Sequence, residues 1–92
     1  MKIVIAGSGK VGAVLAEQLS KIGHDIIVID IEPENLVYVE NTFDVMCVEG
    51  DAASPAVLQE VGITSCDLLI AMTGSDEINL LICLIAKKLG VD

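Results

Sequence analysis

Short apolar runs alternate with amphipathic segments along the whole chain. The run Ile3-Val4-Ile5-Ala6 predicts a first strand over residues 2–6. Behind it, Val11, Leu15, Leu19 and Ile22 recur at helical spacing, so a helix is expected over 10–22, closed by Gly23 as a left-handed cap. A second strand is expected over 26–30, and Pro33 is placed to open a helix that runs to about Asn41. The third strand is expected over 45–49. Ser54 and Pro55 then read as an N-cap and first helical residue, with Gly62 as the matching end of a short helix over 55–61. A fourth apolar run predicts a strand over 67–72. After a turn from Thr73 to Glu77, a last helix is expected over 76–89, ended by Gly90.

This alternation predicts a single α/β domain over residues 1–92 with right-handed crossovers and a parallel, Rossmann-like sheet of order 3-2-1-4. It is the first part of a full doubly wound fold. The order reverses between strands 1 and 4, so the loops leaving the carboxyl ends of the strands converge on one crevice there. Two surfaces are left over. Strand 4 forms an exposed edge, and the last helix carries two apolar stripes, Ile78, Leu81, Ile82, Ile85 and Leu89 on one and Leu80, Cys83 and Leu84 on the other. One stripe is expected on the sheet; the other, through Leu80 and Leu84, is expected in a homo-oligomer or other partner interface.

The candidate chemistry lies in Gly7-Ser8-Gly9-Lys10-Val11-Gly12, a G-x-G-x-x-G that follows a strand and opens a helix. Gly7 allows the sharp turn, Gly9 clears room for a pyrophosphate, and Gly12 lets the helix lie close to the strand. The helix N-terminus offers unpaired N–H groups to an anion. Because the chain has no arginine, Lys10 is the remaining charge for a phosphate, or else a solvated first-turn lysine. Asp30, at the end of the second strand, stands where its carboxylate would accept from the ribose hydroxyls and repel a 2′-phosphate, with Glu32 and Glu34 close behind. This favours NAD-like or ATP-like adenosine over NADP. Read without a ligand, Asp30 is an ordinary turn former.

Composition narrows the classes further. Fourteen acidic residues against five lysines give a net charge of -9, which argues against nucleic-acid or anionic-membrane partners. No apolar run approaches the about eighteen residues of a membrane span, and Met1-Lys2 leads directly into a strand. A cytoplasmic protein without direct membrane insertion is expected. Cys47, Cys66 and Cys83 show no C-x-x-C spacing and are expected to be buried structural thiols, with no metal site. His24, in the turn before the second strand, lies at the end opposite the crevice.

Three further segments carry a family resemblance: Val48-Glu49-Gly50-Asp51-Ala52-Ala53, Leu58-Gln59-Glu60-Val61-Gly62-Ile63, and Asp67-Leu68-Leu69-Ile70-Ala71-Met72-Thr73 with Asp76, Glu77 and Asn79. With the glycine loop, they make the chain similar to the RCK or KTN domain, the N-terminal nucleotide-binding domain of the TrkA family of potassium uptake proteins. The resemblance implies a regulatory, non-catalytic domain that binds NAD(H), or ATP or ADP in some members. It further implies a membrane-embedded potassium channel or transporter subunit as partner, and a place at the inner face of the membrane. By matching position, the residues from Gly7 to Gly12 would surround the phosphates, Asp30 would hold the ribose with Ile31 beside it, and Asp51 and Ala52 would border the adenine. Thr73 and Gly74 would lie near the phosphates or distal ribose, and Glu77 near the mouth of the cleft. From the residues alone, Asp51 reads equally as a turn former, and Thr73, Asp76 and Glu77 as helix-start residues. Family members continue through two more strands and often a second lobe, so the chain is expected to be an incomplete N-lobe. The competing reading is the cofactor-binding half of an NAD-dependent dehydrogenase; no convergent His, Lys or Tyr supports it.

Overall fold

The computed structural model describes residues 1–42 and 44–91. Four strands, β1 (Lys2–Ala6), β2 (Asp25–Asp30), β3 (Met46–Glu49) and β4 (Leu68–Ala71), form one parallel sheet in the order β3-β2-β1-β4. They alternate with α1 (Lys10–Lys21), α2 (Pro33–Thr42), α3 (Pro55–Glu60) and α4 (Asp76–Lys88). The fold class and strand order are those expected from the apolar pattern. A 3-10 turn at Ile63–Ser65, which the pattern does not announce, joins α3 to β4.

Strand side chains point alternately to the two faces, so each strand feeds two cores. Ile3, Ile5, Ile26 and Val28 meet α1 and α2 through Ala13, Ala16, Leu36 and Val39. Val4, Ala6 and Ile29 face the other way, against Leu58, Ile63, Ile82 and Ala86. Both faces of the central strands β1 and β2 are covered, which explains why these two are Ile/Val-rich runs. Ser54 caps α3, its hydroxyl accepting from the Val57 N–H, and Gly62 takes the left-handed conformation at φ +75°.

Two helix faces differ from the expected ones. On α1 the buried residues are Gly12, Ala13 and Ala16, while Val11 and Ile22 are 64% and 70% exposed. The helix lies close to β1 at Gly12, where a side chain would collide with the Gly7 carbonyl oxygen, while the expected Leu15 and Leu19 pack half-buried against the same core. On α4 the buried residues are Ile82 and Ala86, flanked by half-buried Ile85 and Leu89, and Ile78 and Leu81 are exposed. β4 is short and is the last strand on its side of the sheet, so α4 overhangs it and only its inner stripe finds a floor. Leu80, Leu84 and Cys83 lie on the exposed side. Cys83 is therefore not the buried thiol expected, and Cys47 and Cys66 are half-buried. No described helix is long and apolar enough to cross a membrane.

Candidate functional site

Strand register sets the site. Ala6 pairs with Ile29 on one side and Ala71 on the other, and Asp30 pairs with Glu49. Gly7, Asp30, Gly50 and Met72 consequently leave the carboxyl end of the sheet at neighbouring levels. Three backbone bonds extend the ladder past the strands: Gly7 N–H to Ile29 O at 2.7 Å, Met72 N–H to Ala6 O at 2.8 Å and Gly50 N–H to Asp30 O at 3.0 Å.

The glycine loop is held by close approach. Gly7 has φ +106° and leaves no room for a Cβ, which would stand 2.6 Å from the Met72 carbonyl oxygen. A Cβ on Gly12 would collide with the carbonyl oxygen of Gly7. A Cβ on Gly9, by contrast, would meet open space. Ser75 and Ser54 cap α4 and α3 with their hydroxyls, but α1 begins at Gly9 with no side-chain cap and no acidic residue in its first turn. Its first N–H groups and partial positive charge are left for an anion. Lys10 is exposed at the first helical position, where it adds a cation to that end.

Asp30 is 9% exposed and heavily bonded. Its Oδ2 accepts from the Ser8 N–H at 2.7 Å, the Ser8 hydroxyl at 3.1 Å and the Asn35 amide at 3.2 Å; its Oδ1 accepts from the Glu32 N–H at 2.8 Å. Burial alone would raise its pKa. The bonds from the Glu32 and Ser8 backbones, the Asn35 amide and the Ser8 hydroxyl outweigh that and hold the carboxyl below its ordinary 3.8. Asp30 therefore braces the glycine loop against β2 as an ionised group, and Oδ1 retains acceptor capacity.

At the switch point lies a crevice of about 560 Å³, within the roughly 300–1,000 Å³ usual for small-molecule sites. Of the residues singled out from sequence, Gly7, Gly9, Asp30, Ile31, Asp51, Ala52, Thr73 and Gly74 line it. Ser8 and Lys10 line an adjoining cavity of about 390 Å³ between α1 and α2, and Val11, Gly12 and Glu77 line neither. Glu77 is exposed, and its Oε2 accepts the Ser75 hydroxyl at 3.1 Å while that Oγ accepts the Ile78 N–H at 3.3 Å. Glu77 stands in the first turn of α4. Asp51 forms a turn and lines the crevice. In that turn, which precedes Ser54, one carboxylate oxygen accepts from the Ala53 N–H at 2.9 Å.

Two asparagines were not singled out as site residues. Asn79 clips the β4 exit loop: its Oδ1 accepts from the Thr73 N–H at 2.8 Å and from the Thr73 hydroxyl, and its Nδ2 donates to Thr73 O at 3.3 Å. The Thr73 hydroxyl is engaged within the loop, so this residue contributes position to the crevice. Asn79→Ala is expected to cost about 1–2 kcal/mol, read as a lower urea midpoint at unchanged slope. An unaltered midpoint would show that the clip carries no stability. Asn35, on the other side, borders both cavities. The signal for Asn79 was its place in the family segment; Asn35 gave none, because its role depends on how α2 approaches β2.

A glycine-turned βαβ unit, an uncapped helix start and a strand-end carboxylate facing a switch-point crevice define a Rossmann-like domain of the nucleotide-binding class. The TrkA-N domain family matches residues 3–92, and the chain belongs to that family. It is 39% identical over 89 residues to the Trk system potassium uptake protein TrkA of Halomonas elongata, and 43% identical over 90 residues to the TrkA homolog of Archaeoglobus fulgidus. Those matches cover 97% and 98% of the chain but 20% of each relative. The chain thus spans about a fifth of those relatives' length. Among solved structures, the Kef CTD of Shewanella denitrificans in its AMP-bound form matches with TM-score 0.80 and 27% identity, over 96% of this chain and 52% of that one. The NAD(P)-binding domain of an exopolyphosphatase-related protein from Archaeoglobus fulgidus matches with TM-score 0.84 over 96% of this chain and 65% of that one, at 18% identity. That second likeness shows the fold alone.

Proposed function

We propose that the chain is a nucleotide-sensing regulatory domain of a potassium uptake system, binding NAD(H) or an adenine nucleotide in the switch-point crevice. One observation carries the reading: the uncapped start of α1, the buried Asp30 carboxylate and the Asp51 and Thr73 loops all converge on one crevice. The AMP named for the Kef CTD neighbour supports an adenine nucleotide as ligand. In this reading the pyrophosphate lies on the amides after Gly9, the ribose reaches Asp30 beside Ile31, and the adenine rests by Asp51 and Ala52. Lys10 supplies charge from the rim. The proposed role is regulatory, in keeping with relatives named as potassium uptake proteins.

Occupancy acts by favouring one arrangement of neighbouring parts over another, which requires different affinities for the two. α4 is suited to carry that difference. Ile78 and Ile82 border the crevice, while Leu80 and Leu84 lie exposed along the same helix for a second copy or a membrane-embedded subunit. The domain would work at the cytoplasmic face of the membrane through that subunit.

Calorimetric titration with NAD, NADH, NADP, ATP, ADP and AMP tests the reading. Binding of NAD(H) or an adenine nucleotide is expected, with NADP weaker by about tenfold or more because Asp30, Glu32 and Glu34 oppose a 2′-phosphate. Silence toward every nucleotide would overturn the proposal. NADP bound as tightly as NAD would remove the role given to Asp30.

A further inference from the structure

The Asp30 carboxylate is unevenly occupied: three donors meet Oδ2 and one meets Oδ1. An ionised carboxylate has about two acceptor positions on each oxygen, so Oδ2 is saturated and an incoming hydroxyl must use Oδ1. Of the three donors on Oδ2, two belong to Ser8 in the glycine loop. The third, Asn35, comes from the first turn of α2, where its own N–H is already held by Glu32 O at 3.1 Å. Asn35 is half-buried and forms part of the wall between the crevice and the adjoining cavity. Its amide uses one N–H on Asp30 and has a second N–H and a carbonyl oxygen.

We infer that Asn35 is a positioning and specificity residue for sugar recognition, holding Asp30 so that Oδ1 faces the crevice and pairing that acceptor with an amide donor. An acceptor beside a donor is the complement of a vicinal diol, in which one hydroxyl donates to Oδ1 and its neighbour accepts from the amide. The ligand class is a ribonucleotide with both sugar hydroxyls free. A deoxy sugar leaves one or both groups unanswered, and a 2′-phosphate brings charge against Asp30. This rests on the nucleotide reading above and adds to it the residue that makes the sugar legible.

The test compares ATP with 2′,3′-dideoxy-ATP by calorimetry, on the unaltered chain, Asn35→Ala and the uncharged, similarly sized Asn35→Leu. The unaltered chain is expected to prefer the ribonucleotide by about tenfold or more. Both variants are expected to shrink that preference to about twofold while leaving dideoxy-ATP affinity within about twofold of its original value. A brace of purely structural importance would weaken both ligands equally, and that outcome overturns the inference, as does a preference unchanged in the variants. Equal binding of the two nucleotides by the unaltered chain overturns it as well, while leaving nucleotide binding intact. If the unaltered chain binds neither of these nor NAD, the nucleotide reading itself fails and this inference with it. Circular dichroism confirms folding of each variant, and the Asn35→Leu arm keeps the test decisive should Asn35→Ala unfold.

Discussion

Gly7→Ala is expected to destabilise the chain by about 3 kcal/mol or more, enough to leave a small domain barely folded. Two costs add at this position. The backbone sits at φ +106°, a region that side-chain-bearing residues reach at about 1–3 kcal/mol. The new Cβ would also stand 2.6 Å from the Met72 carbonyl oxygen and 2.8 Å from its carbon. Those are backbone atoms at the end of an adjacent paired strand, so nothing flexible can swing away, and relief requires prising β1 from β4. Overpacking of this kind costs about another 1–3 kcal/mol. Urea unfolding followed by circular dichroism measures the loss. Gly9→Ala is the control, because Gly9 has φ -64° and no atom within 4 Å of the added methyl. It should unfold within about 1 kcal/mol of the unaltered chain and yet bind nucleotide more weakly, since the methyl occupies space meant for phosphate. Equal destabilisation at both positions would refute the assignment of Gly7 to packing and Gly9 to ligand room.

That separation shows what the chain's sequence makes legible. Gly7 and Gly12 could be given their tasks in advance because the distance from strand end to helix start is fixed by backbone geometry, which a spacing of residues encodes directly. Strand order followed in the same way from alternation and handedness. Properties that depend on how two elements approach each other did not follow. Periodicity shows that α1 has an apolar stripe, but not that close packing at Gly12 would turn Ala13 and Ala16 inward and Val11 and Ile22 outward. The same limit hides the contact of Asn35 with Asp30 and the bond that the Ser75 hydroxyl donates to the Glu77 carboxylate. Cys83 reads as a buried thiol because it has no C-x-x-C partner, although it shares a stripe with Leu80 and Leu84; it is exposed on the same side of α4 as they are.

Asp30→Asn is expected to cost about 3 kcal/mol at neutral pH and to lose that cost in acid. At neutral pH the ionised carboxylate accepts all four hydrogen bonds, from the Ser8 N–H, the Ser8 hydroxyl, the Asn35 amide and the Glu32 N–H. An asparagine here must turn its own NH2 toward at least one of those donors, leaving two donors facing each other in a site that is 9% exposed. Bonds to a charged acceptor contribute about 1.5–3 kcal/mol each, and a buried unmatched donor costs about 1–3 kcal/mol, so a loss near 3 kcal/mol is a moderate sum. The pH dependence follows from the depressed pKa of Asp30. Below the ordinary value of 3.8 the unfolded chain takes up a proton that the folded chain resists, so folding becomes less favourable as the pH falls. The stabilisation is complete above that value and is lost as the pH drops through the lower folded value. Once Asp30 is protonated it presents an O–H to the same donors, much as asparagine presents its NH2. The stability curves of the unaltered chain and of Asp30→Asn should therefore lie apart at pH 7 and converge as the pH falls through the lowered folded value of Asp30. Parallel curves across the acid range would mean that another carboxylate governs acid sensitivity, and that Asp30 is not the charged brace joining β2 to the glycine loop.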